Sequence, residues 1–388
     1  MKKFVTGLLT LILTLTMAGC AATEKTADVI FTKVAENLYE VTYNDYDPDY
    51  AAQERTGGLS EFTSGSAAPG GCSAIRVGNY VGRNLDLPYG DFSEVIVHVP
   101  AANGRYASVG SFCTLQKLTG EHISENEMNE TLFHLIPISI CDGINEKGVV
   151  CEMNVVPAMD IGMTTGTNPG KPVVNMGNVV RFVLDNAASA KEAVELLEAR
   201  NLCIPWDWAG SVSAGWEFHY LIADAADTYV VEVINNKLTA LKNEEILTNY
   251  YLGLENGTEN GMGIERRETL HQNREMADSV DGMARLMQLV YWTKVNDTNA
   301  ENYCYSDHFG TTAPDGTVIT KSNYENYKNE LLNAGKTDGE LTAEMLKTGE
   351  NPYGLWITLH TCVFDIQARS MQFSMHENPE VVYTYAAK

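Results

Sequence analysis

Residues 218–241, "FHYLIADAADTYVVEVINNKLTAL", place the strongest constraint on the fold. Turn residues divide this passage into apolar stretches that are almost unbroken instead of alternating. A strand with one wet face alternates with a period of two, whereas a strand buried on both faces does not. The passage therefore predicts consecutive strands in a sheet covered on both sides, and the remaining sequence has to supply the covering layers.

The period changes in residues 178–199, "NVVRFVLDNAASAKEAVELLEA". Val180, Val183, Leu184 and Ala187 form one helical stripe, and Ala190, Ala193, Val194 and Leu197 a second. Ser189 followed by Glu192 predicts a capping box between them, hence two helices in succession. Upstream, "CSAIRVGNYVGRNLDL" reads as two strands joined around Gly78-Asn79. "GRYASVGSF", "LIPISI" and "GVVCEMNVV" read as further strands, with "DGINEKG" a turn between the last two. Helical character returns in "RRETLHQNREMADSVDGMARLMQLV", and strands in "GLWITLHTCVFD" and "SMQFSMHE". This order of strands and helices predicts layered α+β packing. Residues 321–351 are polar and read as a surface insertion. Near the start, "DVIFTKVAENLYEVTYN" reads as a hairpin and "ERTGGLSEFTSGSAAPGG" as an exposed loop open to cleavage.

The first twenty residues, "MKKFVTGLLTLILTLTMAGC", join a basic pair to an apolar run too short to span a bilayer, which predicts an export signal. It ends in Met17-Ala18-Gly19-Cys20, which resembles a bacterial lipobox with Cys20 as the lipidated residue. The expected location is the outer face of the bacterial cell membrane, held there by lipid on Cys20, or the medium if no lipid is added. The formal net charge of -24 opposes nucleic-acid binding, because affinity for phosphate backbones comes mainly from Lys and Arg. Eight cysteines without a CxxC pair suggest neither a zinc site nor a disulfide framework. Cys113, Cys141, Cys151, Cys203 and Cys362 lie in apolar or strand-like runs and read as buried thiols.

Cys72 differs, because it follows Gly70 and Gly71 at the end of the small-residue loop. A cysteine nucleophile needs its thiolate, yet the free thiol has a pKa of about 8.5. Arg83 is near enough in sequence to favour the charged form. No histidine carries a recognisable signature as its base: His98, His134, His219, His308 and His360 are scattered. A cut before Cys72 would supply a base of a different kind, an α-amine with a pKa of about 7.7–8.0 on the nucleophile itself. The glycines permit a strained turn and leave the Gly71 carbonyl open to attack by the Cys72 thiol. By itself the tripeptide could equally begin a strand that carries a buried cysteine.

The segments "GCSAI", "GRNLD", "GINEKGV", "EMNVVP", "RFVLDNAASAKEAVELL", "HYLIADAADTYVVEV", "EILTNY" and "GIERRETL" occur in an order and spacing that resembles the choloylglycine hydrolase and penicillin V acylase family. That family in turn resembles acid ceramidase and N-acylethanolamine acid amidase, all N-terminal nucleophile hydrolases. The resemblance implies a four-layer αββα sandwich over residues 72–388, preceded by a signal at 1–20 and a propeptide at 21–71 removed by cleavage after Gly71. It implies Cys72 as nucleophile, Asp86 as the group that orients its amine, and Arg83 as the group that favours its thiolate. Asn154 matches the oxyanion donor, Asn249 a second asparagine near the substrate amide, and Arg266 the distal arginine, with Arg267 the adjacent alternative. Taken alone, Arg83 with Asp86 reads equally as a strand-end ion pair, Asn154 as a turn cap, and the Arg266-Arg267 pair as a solvated face.

The implied reaction is hydrolysis of a linear, non-peptide C–N amide with a small-molecule N-acyl substrate of bile-salt or penicillin V type, and it needs no metal or organic cofactor. The interval of eleven residues from Cys72 to Arg83 is shorter than in the bile-salt enzymes, and the leader is long, as in the ceramidase-like branch. Both features leave the acyl and amine halves open, as is the oligomeric state. Two alternatives accompany this reading: an acyltransferase working through the same acyl-Cys72, and a binding lipoprotein with an inactive site.

Overall fold

The computed structural model describes residues 29–44, 48–51, 72–88, 92–114, 117–128, 130–157, 165, 168–203, 216–257, 263–291 and 356–388. Cys20, Gly70, Gly71, the loop at 54–71 and the polar stretch at 321–351 lie outside them. In chain order the strands and helices are β1 (Ile30–Ala35), β2 (Leu38–Thr42), β3 (Cys72–Val77), β4 (Tyr80–Pro88), β5 (Ser93–Val99), β6 (Ser108–Thr114), β7 (His122–Ser124), α1 (Glu130–Ile138), β8 (Asp142–Asn145) and β9 (Val150–Pro157). There follow β10 (Val173–Asn175), α2 (Val179–Asn186), α3 (Ala190–Glu198), β11 (Asn201–Cys203), β12 (Trp216–Ala223), β13 (Thr228–Ile234), β14 (Lys237–Lys242), β15 (Ile246–Leu247), α4 (Ile264–Gln272), α5 (Val280–Gln288), β16 (Trp356–Asp365), β17 (Ser370–Met375) and β18 (Asn378–Ala386). Among these residues no helix is long and apolar enough to cross a membrane.

Two mixed-sequence sheets carry the architecture. The larger has ten strands in the order β14-β13-β12-β9-β8-β6-β5-β2-β1-β7, and the smaller has six in the order β15-β3-β4-β16-β17-β18. Alternation along the strands divides the side chains between faces. In β5, Val95, Val97 and Val99 pack with α1, α2 and α3, while Ile96 turns to the other sheet. Val109, Ile144, Val150, Leu221 and Val230 join Ile96 against Ala74, Val81, Phe364, Met371 and Phe373 of the smaller sheet. On the far side of that sheet, Ile75 and Val363 pack with Leu270 of α4 and with Met283, Leu286 and Met287 of α5. The layers are thus helix, sheet, sheet, helix, the α+β sandwich that the sequence implied. Gly82 permits the last contact, since a Cβ there would lie 2.6 Å from both Met283 Sδ and Met287 Cγ.

Most elements lie where the hydrophobic period puts them, and two do not. "LIPISI" belongs to α1 and not to a strand, since period alone cannot assign a short apolar run. Pro137 has no N–H for the Phe133 carbonyl one turn back. That carbonyl instead accepts the Tyr43 hydroxyl at 3.0 Å, and the Pro137 carbonyl accepts Arg181 Nε at 2.7 Å. "DGINEKG" is a turn only in its second half; its first half is β8, where Asp142 is tolerated because Ser111 and Arg83 satisfy it. The helix cap also differs in one bond. Ser189 Oγ accepts Glu192 N–H at 3.1 Å, but Glu192 Oε2 accepts from Ala188 N, one residue early for a capping box.

The hairpin β1–β2 is built into the large sheet near one edge, with β2 parallel to β5 and β1 antiparallel to the edge strand β7. Val29, Phe31, Leu38, Tyr39, Val41 and Tyr43 are all buried. At about 1.5–3 kcal/mol for each large apolar side chain, this burial outweighs what a lone two-stranded hairpin could contribute to its own order. Tyr50 is tied in as well: its hydroxyl donates to Asp185 Oδ2 at 2.8 Å and its carbonyl accepts Asn175 N–H at 2.8 Å. We therefore expect a chain carrying an inserted protease site between residues 52 and 71, once cut there, to keep its N-terminal fragment. The two pieces should co-elute in native size-exclusion chromatography and separate only in denaturant.

Candidate active site

The space between the sheets is apolar at one end and polar at the other, and single strands run from one into the other. Along β9, Val150 belongs to the inter-sheet core, and the next two residues on that face are Glu152 and Asn154. Along β4, Val81 is followed on the same face by Arg83, and along β12 His219 follows Leu221. Arg83, Glu152, Asn154, His219 and, from β8, Asp142 all lie at this end and have no solvent exposure. A buried charge is tolerated only when it is paired and hydrogen-bonded.

Cys72 opens β3 at this polar end, 3% exposed, held between β4 and the two-residue β15. Its backbone is held by two residues distant in sequence. Cys72 N donates to Asn249 Oδ1 at 2.8 Å, and the Cys72 carbonyl accepts Arg266 Nη1 at 2.6 Å. Arg266 also donates to Ser73 Oγ at 2.6 Å and to Asn249 Oδ1 at 2.7 Å, and Asn249 Nδ2 donates to the Val155 carbonyl at 2.7 Å. Of the two adjacent arginines, Arg266 is therefore the one at Cys72. Arg267 turns outward to Glu244 at 2.7 Å.

Arg83 and Asp86 approach from opposite sides of β4, as a separation of three along a strand requires. Arg83 faces the large sheet, with Nη1 2.8 Å from Asp142 Oδ2, Nε 3.5 Å from Glu152 Oε2, and Nη2 donating to the Met153 carbonyl at 3.1 Å. Asp86 faces the helices, where its Oδ1 accepts Thr358 Oγ1 at 2.6 Å and its Oδ2 lies 3.7 Å from Arg266 Nη1. Asn154 Nδ2 donates to the Leu247 and Thr248 carbonyls at 3.3 Å each. The structure thus gathers Cys72, Arg83, Asp86, Asn154, Asn249 and Arg266 at one end of the sandwich.

Asp142, Glu152 and Glu94 belong to the site without carrying any motif, and His360 joins them although its sequence surroundings give it no signature. Asp142, Glu152 and His360 contact Arg83, with His360 Nε2 3.2 Å from Asp142 Oδ2, and Glu94 Oε1 lies behind them, 3.0 Å from His360 Nδ1. The available signal was a charged or polar residue inside an apolar strand run, as Glu152 is in "GVVCEMNVV" and His360 in "GLWITLHTCVFD". A second buried pair holds the turn after β15. His219 contacts Glu232 Oε1 at 3.1 Å and the Thr248 carbonyl at 2.8 Å, and Glu232 accepts Leu252 and Gly253 N–H at 2.9 and 2.8 Å.

Burial and charge oppose each other here. Burial pushes the Cys72 thiol up to about 11, although Arg83 and the Asp86 backbone N–H both favour the thiolate. Burial also works against the Asp142 charge, but Arg83 and His360 prevail and hold it down at about 2. Glu152 has only the longer contact to Arg83, and burial pushes it up to about 8, with Asp142 adding to the rise. Burial disfavours the charged form of His360, yet Glu94 and Asp142 raise it well above its ordinary range. Asp142, His360 and Cys362 present ligand atoms within 4.8 Å of one another. The Arg83 guanidinium already occupies Asp142, so a cation there would sit against a fixed positive charge.

Residues 72–251 match the family described as linear amide C–N hydrolases, choloylglycine hydrolase family. Among solved structures, a variant of a conjugated bile acid hydrolase from Clostridium perfringens is similar with a TM-score of 0.41 and 15% identity, covering 82% of this chain and 92% of that one. A second variant of the same hydrolase gives 0.40 and 14%, covering 81% and 92%. A penicillin V acylase from Agrobacterium tumefaciens gives 0.37 and 16%, covering 81% and 86%. No curated protein sequence matches this chain.

The fully buried and the part-exposed arginine should separate in measurement. Arg266→Ala leaves buried acceptors unpaired and should cost about 3–5 kcal/mol of unfolding free energy. Arg267→Ala, which removes a part-exposed pair with Glu244, should cost about 1 kcal/mol at most. Denaturant unfolding of both variants checks this.

Proposed function

We propose that this chain, which over residues 72–251 is of the choloylglycine hydrolase family of linear amide C–N hydrolases, cleaves an N-acyl amide with Cys72 as a nucleophile that becomes a chain terminus. The observation that carries this reading is the grip on the Cys72 peptide unit, N–H on Asn249 and carbonyl on Arg266, at 2.8 and 2.6 Å. Two buried side chains fix both sides of the backbone of a cysteine whose thiol burial keeps protonated. Such a thiol needs a base, and among the described residues no histidine contacts it. The base that this reading supplies is the α-amine of Cys72 itself.

Maturation begins with the Cys72 sulfur attacking the Gly71 carbonyl; as the C–N bond breaks, the thiol proton passes to the departing Cys72 nitrogen and the acyl group is left on sulfur. Water then hydrolyses the thioester, leaving a carboxylate on Gly71 and a free amine on Cys72. In turnover the sulfur adds to the substrate carbonyl while the amine takes the thiol proton, which then passes to the leaving amine as the C–N bond breaks. Water attacks the acyl-sulfur bond, its proton returns to the thiol through the same amine, and the acid departs. Asn249, which accepts the peptide N–H in the uncut chain, is placed to accept the ammonium, with Asp86 adding negative charge. Asn154 is the proposed donor to the oxyanion, exchanging one of its two long carbonyl bonds for it.

Leu85, Phe92 and Leu359 pack beside Cys72 with Leu87, Cys113 and Cys141. This apolar wall suits a hydrophobic acyl half, whose burial would provide most of the binding. With the leader read as a lipobox, the enzyme acts outside the cell, anchored through Cys20.

Intact-mass analysis tests the central step. In denaturant the wild-type protein should give a chain that begins at Cys72, with its N-terminal fragment as a separate mass, while Cys72→Ala keeps the full chain and releases no acid from hydrophobic N-acyl amides. A wild-type protein that turns over amides with residue 71 still attached would overturn the reading. Asn154→Ala should mature yet lose about 100- to 1000-fold in kcat, read from acid release.

A further inference from the structure

The amide of Asn154 faces hydrogen-bond acceptors on both edges. On one edge are the Leu247 and Thr248 carbonyls, each 3.3 Å from Nδ2. On the other are Glu152 Oε2 at 2.9 Å and the Met153 carbonyl at 3.2 Å. A primary amide has one edge that donates and one that accepts, so it serves one pair at a time: turned one way Nδ2 satisfies Glu152 and Met153, turned the other way Leu247 and Thr248. Of the four, only Glu152 can carry a proton. With that proton on Oε2, Glu152 donates to Asn154 Oδ1, and both Asn154 N–H groups remain for the Leu247 and Thr248 carbonyls.

We propose that Glu152 works as a neutral carboxylic acid, a positioning residue whose proton sets the direction of the Asn154 amide and so docks the 247–249 segment that holds Cys72. This rests on the hydrolase reading above for its effect on turnover, and on geometry alone for the proton. The charged and titratable groups that face Glu152 are Arg83 from β4, Asp142 from β8, Cys72 from β3 and its own neighbour Cys151. Arg83 gives its 2.8 Å contact to Asp142 and only a 3.5 Å contact to Glu152, so the nearest cation is already committed. Burial and Asp142 accordingly push Glu152 up to about 8. Loss of the proton places a carboxylate against Asn154 Oδ1, and the amide turns its N–H groups away from Leu247 and Thr248. The segment that carries Asn249 then loses its link to β9 through Asn154.

The test compares Glu152→Gln, whose amide still donates to Asn154, with Glu152→Ala, which cannot. Acid release should survive in Glu152→Gln near neutral pH and should persist above pH 8, where the wild type declines. Glu152→Ala should lose kcat tenfold or more at every pH, with a smaller change in KM. A second arm uses Cys72→Ala protein and needs no turnover. A carboxyl whose pKa is raised on folding contributes stability that is intact below its ordinary 4.5 and is lost as pH climbs from there toward about 8. The midpoint of thermal unfolding should fall over that window in Cys72→Ala and fall less in Cys72→Ala/Glu152→Gln. Parallel curves, or a Glu152→Gln enzyme as impaired at neutral pH as Glu152→Ala, would overturn the proposal. If the wild type releases no acid from any amide, the function reading fails while the stability arm still decides the protonation of Glu152.

Discussion

Arg83 is a full positive charge with no solvent exposure, lodged between two sheets, and the polar end of the sandwich is organised around neutralising it. The strands around it contribute Asp142 from β8, Glu152 from β9 and His360 from β16, and Glu94 of β5 contacts His360 in turn. The contributions are unequal, and the inequality is informative. At 2.8 Å Arg83 holds Asp142 low, whereas burial drives Glu152, with only a 3.5 Å contact to the guanidinium, the other way, and Asp142 adds to the rise. Buried groups pushed apart in this manner mark a site where protons are managed more often than a site of simple packing.

Cys72 follows the same balance. Proximity to Arg83 is the feature the sequence offers for activating Cys72, and by itself it fails, because burial of the sulfur outweighs the guanidinium. The thiol therefore relies on a base delivered at contact distance, and the described residues place none there in the continuous chain. What they place there is Asn249, an acceptor for the nitrogen of Cys72. An acceptor aimed at a backbone nitrogen suits the N–H of the continuous chain and would equally suit the ammonium of the cut chain proposed above.

The layers were legible because period carries them: unbroken runs for β12 and β13, paired stripes for α2 and α3, alternation for β1 and β2. "LIPISI" was not, because six apolar residues fit a strand or a helix equally, and the choice falls to Tyr43, which supplies the hydrogen bond that Pro137 takes away. The site was legible in part for a related reason. Cys72, Arg83, Asp86, Asn154, Asn249 and Arg266 sit in short motifs that survive as sequence. Asp142, Glu94 and His360 matter only through contacts separated by up to 277 residues, such as Arg83 with His360, and no local pattern announces such a pair. The choice between Arg266 and Arg267 was likewise one of helical phase, settled by which face of α4 meets β3.

The position of Cys72 in its sheet is compatible with the cut proposed before it. Cys72 is the first residue of β3, paired with Leu85 of β4, while β15 pairs two residues further along at Ala74 and Ile75. Every ladder bond of β3 therefore lies downstream of the scissile bond, and losing the peptide before it removes no strand pairing. On the upstream side the chain is fastened independently, through β2 to β5 and β1 to β7 in the other sheet. Residues 30–42 and the strand that starts at Cys72 are thus held by different sheets of one sandwich. The core between those sheets, contributed by both, holds Cys72 in register with Arg83 and Glu152 opposite.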